Sequence, residues 1–427
     1  DGWKTEFTCD SSGGDGSGKG DTGMDNWAEK STTCTRSEDS GMPESFPRTC
    51  ILGPPDGGLR CWWTYVPDAV KIAGAGIKVP LVIDLHGGDG CASSQVGVDG
   101  GGSGFKSLSD TLDGSETYIT VFPQGYGSQW GDCGSTCAEA SEVHDGKELA
   151  TQDDLSFLTS MIAYIVKSQD GSNPSKGRVD AERVYATGFS MGCMMAHRLA
   201  LERSSIVAGV GCHGGTLTYH ALDDENSDLR VDEIKERFDL QPIPVYMTGG
   251  SEDDWFSSAE RDLGAWAAWN GCSEEIIVSD DVALAYANGP KQEQKKKKKN
   301  KKKSKTMTKS GGDSATLRVR TSCDAGVEVA TLKIDGGFHV HDPRMANYTW
   351  EFVKRYSRPG ALAALPADPG AATEASHEKK TKSKKGKRRK VVPGRYCQPR
   401  NRTGRLVSDT CSGSLPSRNH CESRRAS

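Results

Sequence analysis

The sequence contains no long apolar stretch, since no run of 18 apolar residues occurs among its 427 residues. A helix that crosses a bilayer needs about 20 such residues, so we predict no transmembrane segment. The 14 cysteines include no C-x-x-C pair and no repeated spacing, which are the usual signs of a structural zinc site. We therefore predict neither a metal site nor a cofactor.

The sequence also gives no sign of a nucleotide-binding loop. Residues 13–20 (GGDGSGKG) resemble a phosphate-binding loop, but Gly20 stands where such a loop has a serine or threonine for magnesium, and no apolar strand precedes it. The first residue is Asp1 instead of methionine, which indicates a processed product or a fragment.

The cysteines are even in number and scattered along the chain. This distribution is typical of an oxidised, secreted protein, and we predict an extracellular location. We pair Cys272 with Cys323, because this bond would join the end of a predicted helix to the hairpin that follows. A second predicted bond, between Cys133 and Cys137, would close a short loop.

Charge is segregated along the chain, although the formal net charge is only −4. A lysine-rich insert at residues 291–309 has 11 lysines and one glutamate, and residues 377–427 have 16 basic and three acidic residues. Such runs bury little apolar surface and are expected to be disordered. We predict at most a weak contact with a polyanion, and a solvated low-complexity segment is the alternative interpretation.

Composition divides the chain into three parts. Residues 1–49 are a leader rich in Gly, Ser, Asp and Thr that holds two cysteines. Residues 50–357 alternate strand-like and helix-like segments, which predicts an α/β domain with a doubly wound, mostly parallel sheet. Residues 358–427 lack periodicity and are predicted to be a disordered basic tail.

The most informative motif is Gly-Phe-Ser-Met-Gly at residues 188–192. An apolar strand leads into it and a helix-like stretch leads out, which is the context of a nucleophile elbow. The turn is expected to hold Ser190 in a strained backbone conformation, and Gly188 and Gly192 let strand and helix approach closely. The serine hydroxyl would lie at the N-terminus of a helix, where negative charge is favoured. We predict Ser190 as a catalytic nucleophile.

A serine nucleophile needs a base, and an acid that holds this base in one tautomer. A strand-like run at residues 243–248 leads into a loop with three carboxylates, which include Asp253 and Asp254. Another strand-like segment ends in Gly-Gly-Phe-His-Val-His, with His339 and His341. We favour His339 as the base because the glycine pair before it provides a flexible bend. The order Ser, Asp, His is that of α/β-hydrolases.

An oxyanion hole is predicted from an earlier loop. A strongly apolar strand at residues 79–85 is followed by His86 and a glycine-rich stretch that begins with Gly87 and Gly88. Glycines let backbone N–H groups face a site without obstruction by side chains. One amide from this loop and the amide of Met191 would hold the negative charge that develops in the reaction.

Aromatic side chains are predicted to line an acyl pocket, because Trp130, Trp255 and Phe256 follow strand ends on the same face. Aromatic walls would suit an aromatic acid. The predicted pocket consists of His86, Trp130, Trp255, Phe256 and His341. We assign His197 and His213 to packing or to the surface instead of to catalysis.

Seven stretches of the chain carry a specific resemblance. From the N-terminal side they are residues 81–88 (LVIDLHGG), 121–125 (VFPQG), 153–158 (DDLSFL), 179–199 (VDAERVYATGFSMGCMMAHRL), 244–253 (PVYMTGGSED), 266–272 (WAAWNGC) and 336–339 (GGFH). The chain resembles the esterase family that groups polyhydroxybutyrate depolymerases with feruloyl and acetylxylan esterases, known as family one of the carbohydrate esterases. The resemblance covers about residues 50–357.

The resemblance implies an α/β-hydrolase that cleaves carboxylic esters through an acyl-enzyme. The family pattern puts the acid five residues after a strand-end threonine or histidine, which implies Asp253, with Asp254 as the alternative. The chain departs from the pattern in two places. Residues 249–250 are Gly-Gly instead of His-Gly, and His341 and Asp342 stand where the family often has an aromatic residue and a proline. Both changes reshape the pocket mouth.

Three functions are compatible with these features. The first is a secreted esterase that acts on feruloyl or acetyl esters of polysaccharides. The second is an extracellular polyhydroxybutyrate or polyester depolymerase of the same fold. The third, of another class, is a polyanion-binding protein that docks through its lysine runs and carries a vestigial hydrolase body.

Overall fold

The computed structural model describes residues 42–43, 45–52, 59–73, 76–97, 102–131, 153–217, 231–284 and 314–370. The chain divides into two units, Asp1–Lys380 and Thr381–Ser427, and all described residues belong to the first. None of the helices formed by these residues has the length and apolar character needed to cross a membrane. The predicted Cys133–Cys137 bond and the lysine-rich insert lie outside the described residues.

The described residues form one ten-stranded sheet. Its strands are β1 (Arg48–Leu52), β2 (Leu59–Tyr65), β3 (Val79–Leu85), β4 (Ile119–Pro123), β5 (Val179–Phe189), β6 (Gly209–His213), β7 (Val245–Gly250), β8 (Ile276–Ala283), β9 (Ser314–Arg320) and β10 (Val329–Ile334). Their order across the sheet is β1-β2-β4-β3-β5-β6-β7-β10-β9-β8. The strands from β4 to β10 in this order are parallel, and antiparallel pairs complete both edges. The predicted mostly parallel sheet is confirmed.

Helices cover both faces of this sheet. They are α1 (Asp68–Ala73), α2 (Ala92–Val96), α3 (Phe105–Ser109), α4 (Asp154–Lys167), α5 (Met191–Glu202), α6 (Val231–Phe238), α7 (Ala259–Trp269), α8 (Arg344–Val353) and α9 (Ala361–Ala364). In β7, Val245 and Met247 join a hydrophobic cluster with α4, α5 and α7, whereas Tyr246 joins another with α3 and α8. Because successive side chains of a strand point to opposite faces, the sheet is doubly wound, as predicted.

The folded chain continues past residue 357, where the sequence predicted the domain to end. Helix α9 follows, and the side chains of Ala361 and Leu365 are buried. The Lys167 ammonium donates a hydrogen bond of 2.7 Å to the carbonyl oxygen of Leu365. The prediction of disorder is therefore wrong for residues 358–370, because apolar side chains there pack against the core although the local sequence has no periodicity.

Disulfides join neighbouring elements of the described chain. They include Cys50–Cys61 between β1 and β2, Cys193–Cys212 between α5 and β6, and Cys272–Cys323 after α7 and β9. The last of these is the predicted pair, which is confirmed. It encloses β8, an edge strand that no sequence pattern predicted, and the sequence positions of the lysine-rich insert.

Candidate active site

Ser190 lies in a sharp turn between the end of β5 and the start of α5. Its backbone has φ 54° and ψ −121°, a conformation that costs a residue with a side chain about 1–3 kcal/mol. The turn is tight because a Cβ atom on Gly188 would collide with the backbone of Gly192, and one on Gly192 would collide with the Leu85 carbonyl oxygen. The strain and the close packing that the motif predicts are both confirmed.

The hydroxyl of Ser190 faces the imidazole of His339. Ser190 Oγ lies 3.0 Å from His339 Nε2, and His339 Nδ1 lies 3.0 Å from both carboxylate oxygens of Asp253. A carboxylate only accepts hydrogen bonds, so the proton of the neutral ring belongs on Nδ1. Nε2 is then free to accept the proton of the serine hydroxyl, which is the relation between a nucleophile and a general base.

Loops after β7 and β10 bring the acid and the histidine together. The Glu252 amide donates to the Gly337 carbonyl oxygen at 2.8 Å, and the Ser251 amide donates to that of Ile334, also at 2.8 Å. Gly250 is packed against Gly337 with no space for a Cβ atom. The glycines before the two site residues thus let the loops touch, and they do so as fixed contacts instead of as a flexible bend.

The structure places Asp253, and not Asp254, beside the histidine. The Asp253 side chain is 1% exposed, and one of its oxygens also accepts a 3.0 Å hydrogen bond from the Trp255 amide. Asp254 is exposed and begins a short 3-10 turn. The sequence left the choice between these two residues open, and the geometry favours the first.

The glycine-rich loop after β3 lies against the elbow. A Cβ atom on Gly87 would lie 3.4 Å from Ser190 Cβ, and one on Gly88 would lie 3.6 Å from Met191 Cε. Met191 is the first residue of α5, so its amide belongs to the helix turn whose N–H groups have no partner within the helix. The three residues predicted for an oxyanion hole therefore lie together at the elbow, and that role stays a prediction.

Hydrogen bonds of the His86 side chain hold this loop in place. Its Nε2 accepts a 2.9 Å hydrogen bond from the Gly125 amide, so Nδ1 carries the proton and donates to the Gly87 carbonyl oxygen at 2.7 Å. Burial lowers the pKa of His86 to about 4, which keeps the ring neutral near pH 7. Trp130 Nε1 donates to the His86 carbonyl oxygen at 2.8 Å. These bonds hold the backbone of the loop beside Ser190.

Three residues assigned to the pocket are buried instead. His86 is 0% exposed, Trp130 is 3% and Phe256 is 4%. The first two support the glycine-rich loop, and Phe256 packs in the core under Gly249, where a Cβ atom would collide with its ring. The assignment of these three side chains to the pocket wall is wrong, because position after a strand end does not fix the direction of a side chain.

Trp255 and His341 lie next to different rings of the site. Trp255 is half exposed, and its ring centroid lies 6.4 Å from that of His339. His341 packs on Phe189 with ring centroids 4.1 Å apart, and burial lowers its pKa to about 3. Of the five residues predicted for the pocket, Trp255 is the most exposed to solvent, and it lies next to the base.

A small cavity borders the elbow, with room for about one water molecule. Its lining includes Asp84, His213 and His341. Burial raises the pKa of Asp84 to about 8, and the hydroxyl of Ser103 donates to its carboxyl group. Asp84 was not predicted from the sequence, because an acid inside an apolar strand has no local pattern of its own.

His213 is a second residue of the site that was not predicted. Its ring lies 2.6 Å from Thr248 Oγ1 and 2.9 Å from the carbonyl oxygen of Val340, the neighbour of His339. The available signal was its place at the end of β6, between the strands that carry the nucleophile and the acid. His197, in contrast, packs on Trp266 and accepts its indole N–H at 3.0 Å, so the assignment of His197 to packing is confirmed.

The fold and the order of the site residues define an α/β-hydrolase. The serine follows β5 in a nucleophile elbow, the acid follows β7, and the histidine follows β10, the next strand of the sheet. The sequence order Ser, Asp, His is that of this fold class, which confirms the predicted fold.

Comparison with known proteins gives esterases, and no family model matches the chain. Feruloyl esterase B of Piromyces equi is 24% identical over 299 residues, which are 66% of this chain and 42% of that protein. The bifunctional acetylxylan esterase/xylanase XynS20E of Neocallimastix patriciarum is 21% identical over 287 residues, which are 67% of this chain and 32% of that protein. The chain thus spans less than half the length of these two relatives, and the resemblance drawn from the motifs agrees with them.

Solved structures of esterases are also similar. An acetyl xylan esterase from Aspergillus awamori has a TM-score of 0.43 and 15% identity, with 72% of this chain and 98% of that chain covered. A feruloyl esterase module from Clostridium thermocellum has a TM-score of 0.41 and 14% identity, with 79% of this chain and 94% of that chain covered.

Proposed function

We propose that this protein is a serine esterase that cleaves carboxylic esters linked to carbohydrates and forms an acyl-enzyme. The observation that carries the proposal is the continuous line from the Ser190 hydroxyl through His339 to Asp253, with each step 3.0 Å long. The strained elbow supports it. A positive φ is energetically unfavourable for a residue with a side chain, and such strained residues cluster at active sites. A vestigial hydrolase body has no need to keep this alignment.

The reaction follows from the protonation states of the three residues. Ser190 Oγ attacks the ester carbonyl carbon while its proton passes to His339 Nε2, and Asp253 stabilises the imidazolium that forms. Collapse of the tetrahedral intermediate breaks the bond to the alcohol, which takes this proton from His339. Water then attacks the acyl-enzyme, gives a proton to the same nitrogen, and the acid leaves as Ser190 regains its hydrogen.

Backbone amides would stabilise the negative oxygen of both tetrahedral intermediates. We assign this role to the amide of Met191, the residue after the serine, and to an amide of Gly87 or Gly88 in the loop that packs against the elbow. Removal of one such donor costs about 3 kcal/mol in comparable sites. His86 and Trp130 contribute indirectly, since their hydrogen bonds fix the glycine-rich loop.

We assign the substrate class from the relatives and from one side chain. Two relatives are described as a feruloyl esterase and an acetylxylan esterase/xylanase. The half-exposed ring of Trp255 next to His339 offers an aromatic surface to an incoming acyl group. The relatives support a feruloyl or acetyl ester of a polysaccharide, and the ring supports the feruloyl ester over an aliphatic polyester, which is the second candidate within the same chemistry.

Secretion and contact with polyanions complete the proposal. The disulfides of the described chain are compatible with an oxidising, extracellular location. The 11 lysines of residues 291–309 would add a weak, salt-dependent attraction to acidic wall polymers. Retention on an acidic polysaccharide column that does not weaken with salt would contradict this part of the proposal.

The function is tested with a panel of methyl ferulate, acetylated xylan and short polyhydroxybutyrate. We expect hydrolysis of at least one of the first two, and loss of all hydrolysis in Ser190→Ala. Asp254→Asn is the matched control, because it removes an exposed carboxylate next to the triad and should keep the activity. Wild-type hydrolysis by the Ser190→Ala protein would remove the proposed mechanism, and cleavage of polyhydroxybutyrate alone would replace the substrate class.

A further inference from the structure

His213 occupies a special place between the nucleophile and the base. It is the last residue of β6, which lies between β5 and β7 in the sheet. β5 leads to Ser190 and β7 leads to the loop of Asp253. A side chain at the end of β6 can therefore reach both halves of the catalytic apparatus.

The backbone and ring of His213 contact the elbow. Its carbonyl oxygen accepts a 2.9 Å hydrogen bond from the Ser190 amide. Its ring packs near Phe189, the residue before the nucleophile, with centroids 5.5 Å apart. Both contacts restrain the turn that holds the serine at positive φ.

The imidazole of His213 contacts the loop of the base. Nε2 lies 2.9 Å from the Val340 carbonyl oxygen, which only accepts hydrogen bonds, so Nε2 carries the proton. Burial lowers the pKa of His213 and favours the neutral ring, and Nδ1 therefore accepts from the Thr248 hydroxyl at 2.6 Å. One chain of hydrogen bonds thus runs from β7 through His213 to the residue after His339.

The next residue shows how closely β6 approaches the triad. Gly214 has φ 59°, and a Cβ atom there would lie 3.1 Å from Asp253 Oδ2 and 3.3 Å from His339 Nδ1. The Gly214 amide donates to the Thr248 carbonyl oxygen at 2.8 Å. The end of β6 is therefore packed directly against the contact between acid and base.

We infer that His213 is a positioning residue of the esterase reaction: it connects the nucleophile turn to the His339 loop and holds the imidazole of His339 in reach of Ser190. The inference rests on the proposed function, because it assigns a role in the same site. His213 does not touch the reacting atoms, so it acts on their distance and alignment. A misplacement of about 1 Å in such a pair can lower the rate about 10²-fold.

Two substitutions separate the hydrogen bond to Val340 from the rest of the side chain. His213→Gln places an amide N–H near the former Nε2 and can still donate to Val340. His213→Asn ends near the former Nδ1, so it can keep the contact with Thr248 and cannot reach Val340. We expect kcat for p-nitrophenyl acetate to fall about 10- to 100-fold in the Asn variant, with KM little changed, and most of the loss to be restored in the Gln variant.

The rate of fluorophosphonate labelling of Ser190 gives a second reading and should fall in parallel with kcat. His197→Gln is the control, since it alters another buried histidine that packs on Trp266 away from the triad contacts. It should lower the melting temperature without lowering kcat per labelled site. Wild-type kcat in His213→Asn, or an equal loss in the Asn and Gln variants, would overturn the inference.

Thr248 provides an independent pair if the histidine variants fail to fold. Thr248→Ser keeps the hydroxyl group that donates to His213 Nδ1. Thr248→Val keeps the shape of the side chain and removes the hydroxyl group. We expect a selective loss of kcat in the Val variant and near wild-type kcat in the Ser variant, and equal rates would refute the chain of hydrogen bonds. An active Ser190→Ala protein would refute the proposed function itself, whereas an inactive Ser190→Ala protein with fully active His213 and Thr248 variants would refute only this inference.

Discussion

Asp253→Asn should remove most of the catalytic rate while leaving the fold intact. In the wild type both carboxylate oxygens lie 3.0 Å from His339 Nδ1 and require a proton on that nitrogen. An asparagine amide can donate to Nδ1 instead, which moves the ring proton to Nε2. Ser190 would then face an N–H group that cannot accept its proton.

The size of the effect follows from the loss of the correct tautomer and of the charge that stabilises the imidazolium. The Asp253 side chain is 1% exposed, so water cannot replace it at Nδ1. Comparable triads lose about 10⁴-fold in kcat on this change, which corresponds to about 5 kcal/mol of transition-state stabilisation. KM should change little, because the carboxylate does not contact the substrate.

The assay is the kcat for p-nitrophenyl acetate at pH 7 to 8, together with the melting temperature of each variant. Asp254→Asn is the matched control, since this neighbour is exposed, and surface substitutions usually change stability by less than about 0.5 kcal/mol. The reasoning is refuted if Asp253→Asn keeps a kcat near that of the wild type, or if Asp254→Asn lowers kcat more than Asp253→Asn does.

Three further outcomes are expected. Cys272→Ser should lower the free energy of unfolding by about 4 kcal/mol, read from the urea midpoint, because its bond to Cys323 spans 51 residues; an unchanged midpoint would contradict this. Asp84→Asn should reduce the loss of stability between pH 5 and pH 8, since burial raises the pKa of this group to about 8, above about 3.9 in the unfolded chain. In that window the unfolded chain binds fewer protons, so the wild type becomes less stable as pH rises, and an equal decline of melting temperature in the variant would count against the assignment. Trp255→Ala should raise KM for methyl ferulate up to about tenfold and leave that for p-nitrophenyl acetate unchanged, because its ring flanks His339; a uniform change would point to a general disturbance.

Sequence patterns predicted the central sheet because several parallel strands, such as β3, β4 and β7, are apolar runs that are followed by glycines or polar residues. β3 has the predicted bounds, and the elbow at Ser190 has the predicted strain. The site residues follow the ends of such strands, because the carboxyl ends of parallel strands meet at one edge of a sheet. The places at strand ends therefore predict Ser190, His339 and the loop that holds the acid, whereas the choice of Asp253 over Asp254 depends on the contacts of its carboxylate in the structure.

Side-chain direction within loops could not be predicted in the same way. Trp130 and Phe256 follow strand ends like the site residues, yet their rings turn inward, toward His86 and toward Gly249. These two aromatic residues and the site residues differ only in the path of the loop that carries them, and that path depends on contacts with other loops. His213 was missed for the same reason, because its partner Val340 is 127 residues away.

The edge strand β8 escaped prediction for a different reason. Ile276, Ile277 and Val278 are 37–49% exposed, so their apolar character does not reflect burial. The strand forms by pairing with β9, a partner beyond the lysine-rich insert in the sequence. Its existence depends on that pairing and not on a local pattern.

The most direct measurement is the site of covalent labelling by a fluorophosphonate, located by mass spectrometry after the folded protein has been labelled and digested. An aligned triad predicts stoichiometric modification of Ser190, no labelling in Ser190→Ala, and much slower labelling in His339→Ala. A folded protein that takes up no label, or takes it up at another residue with equal rate, would contradict the claim that these three side chains form one catalytic unit.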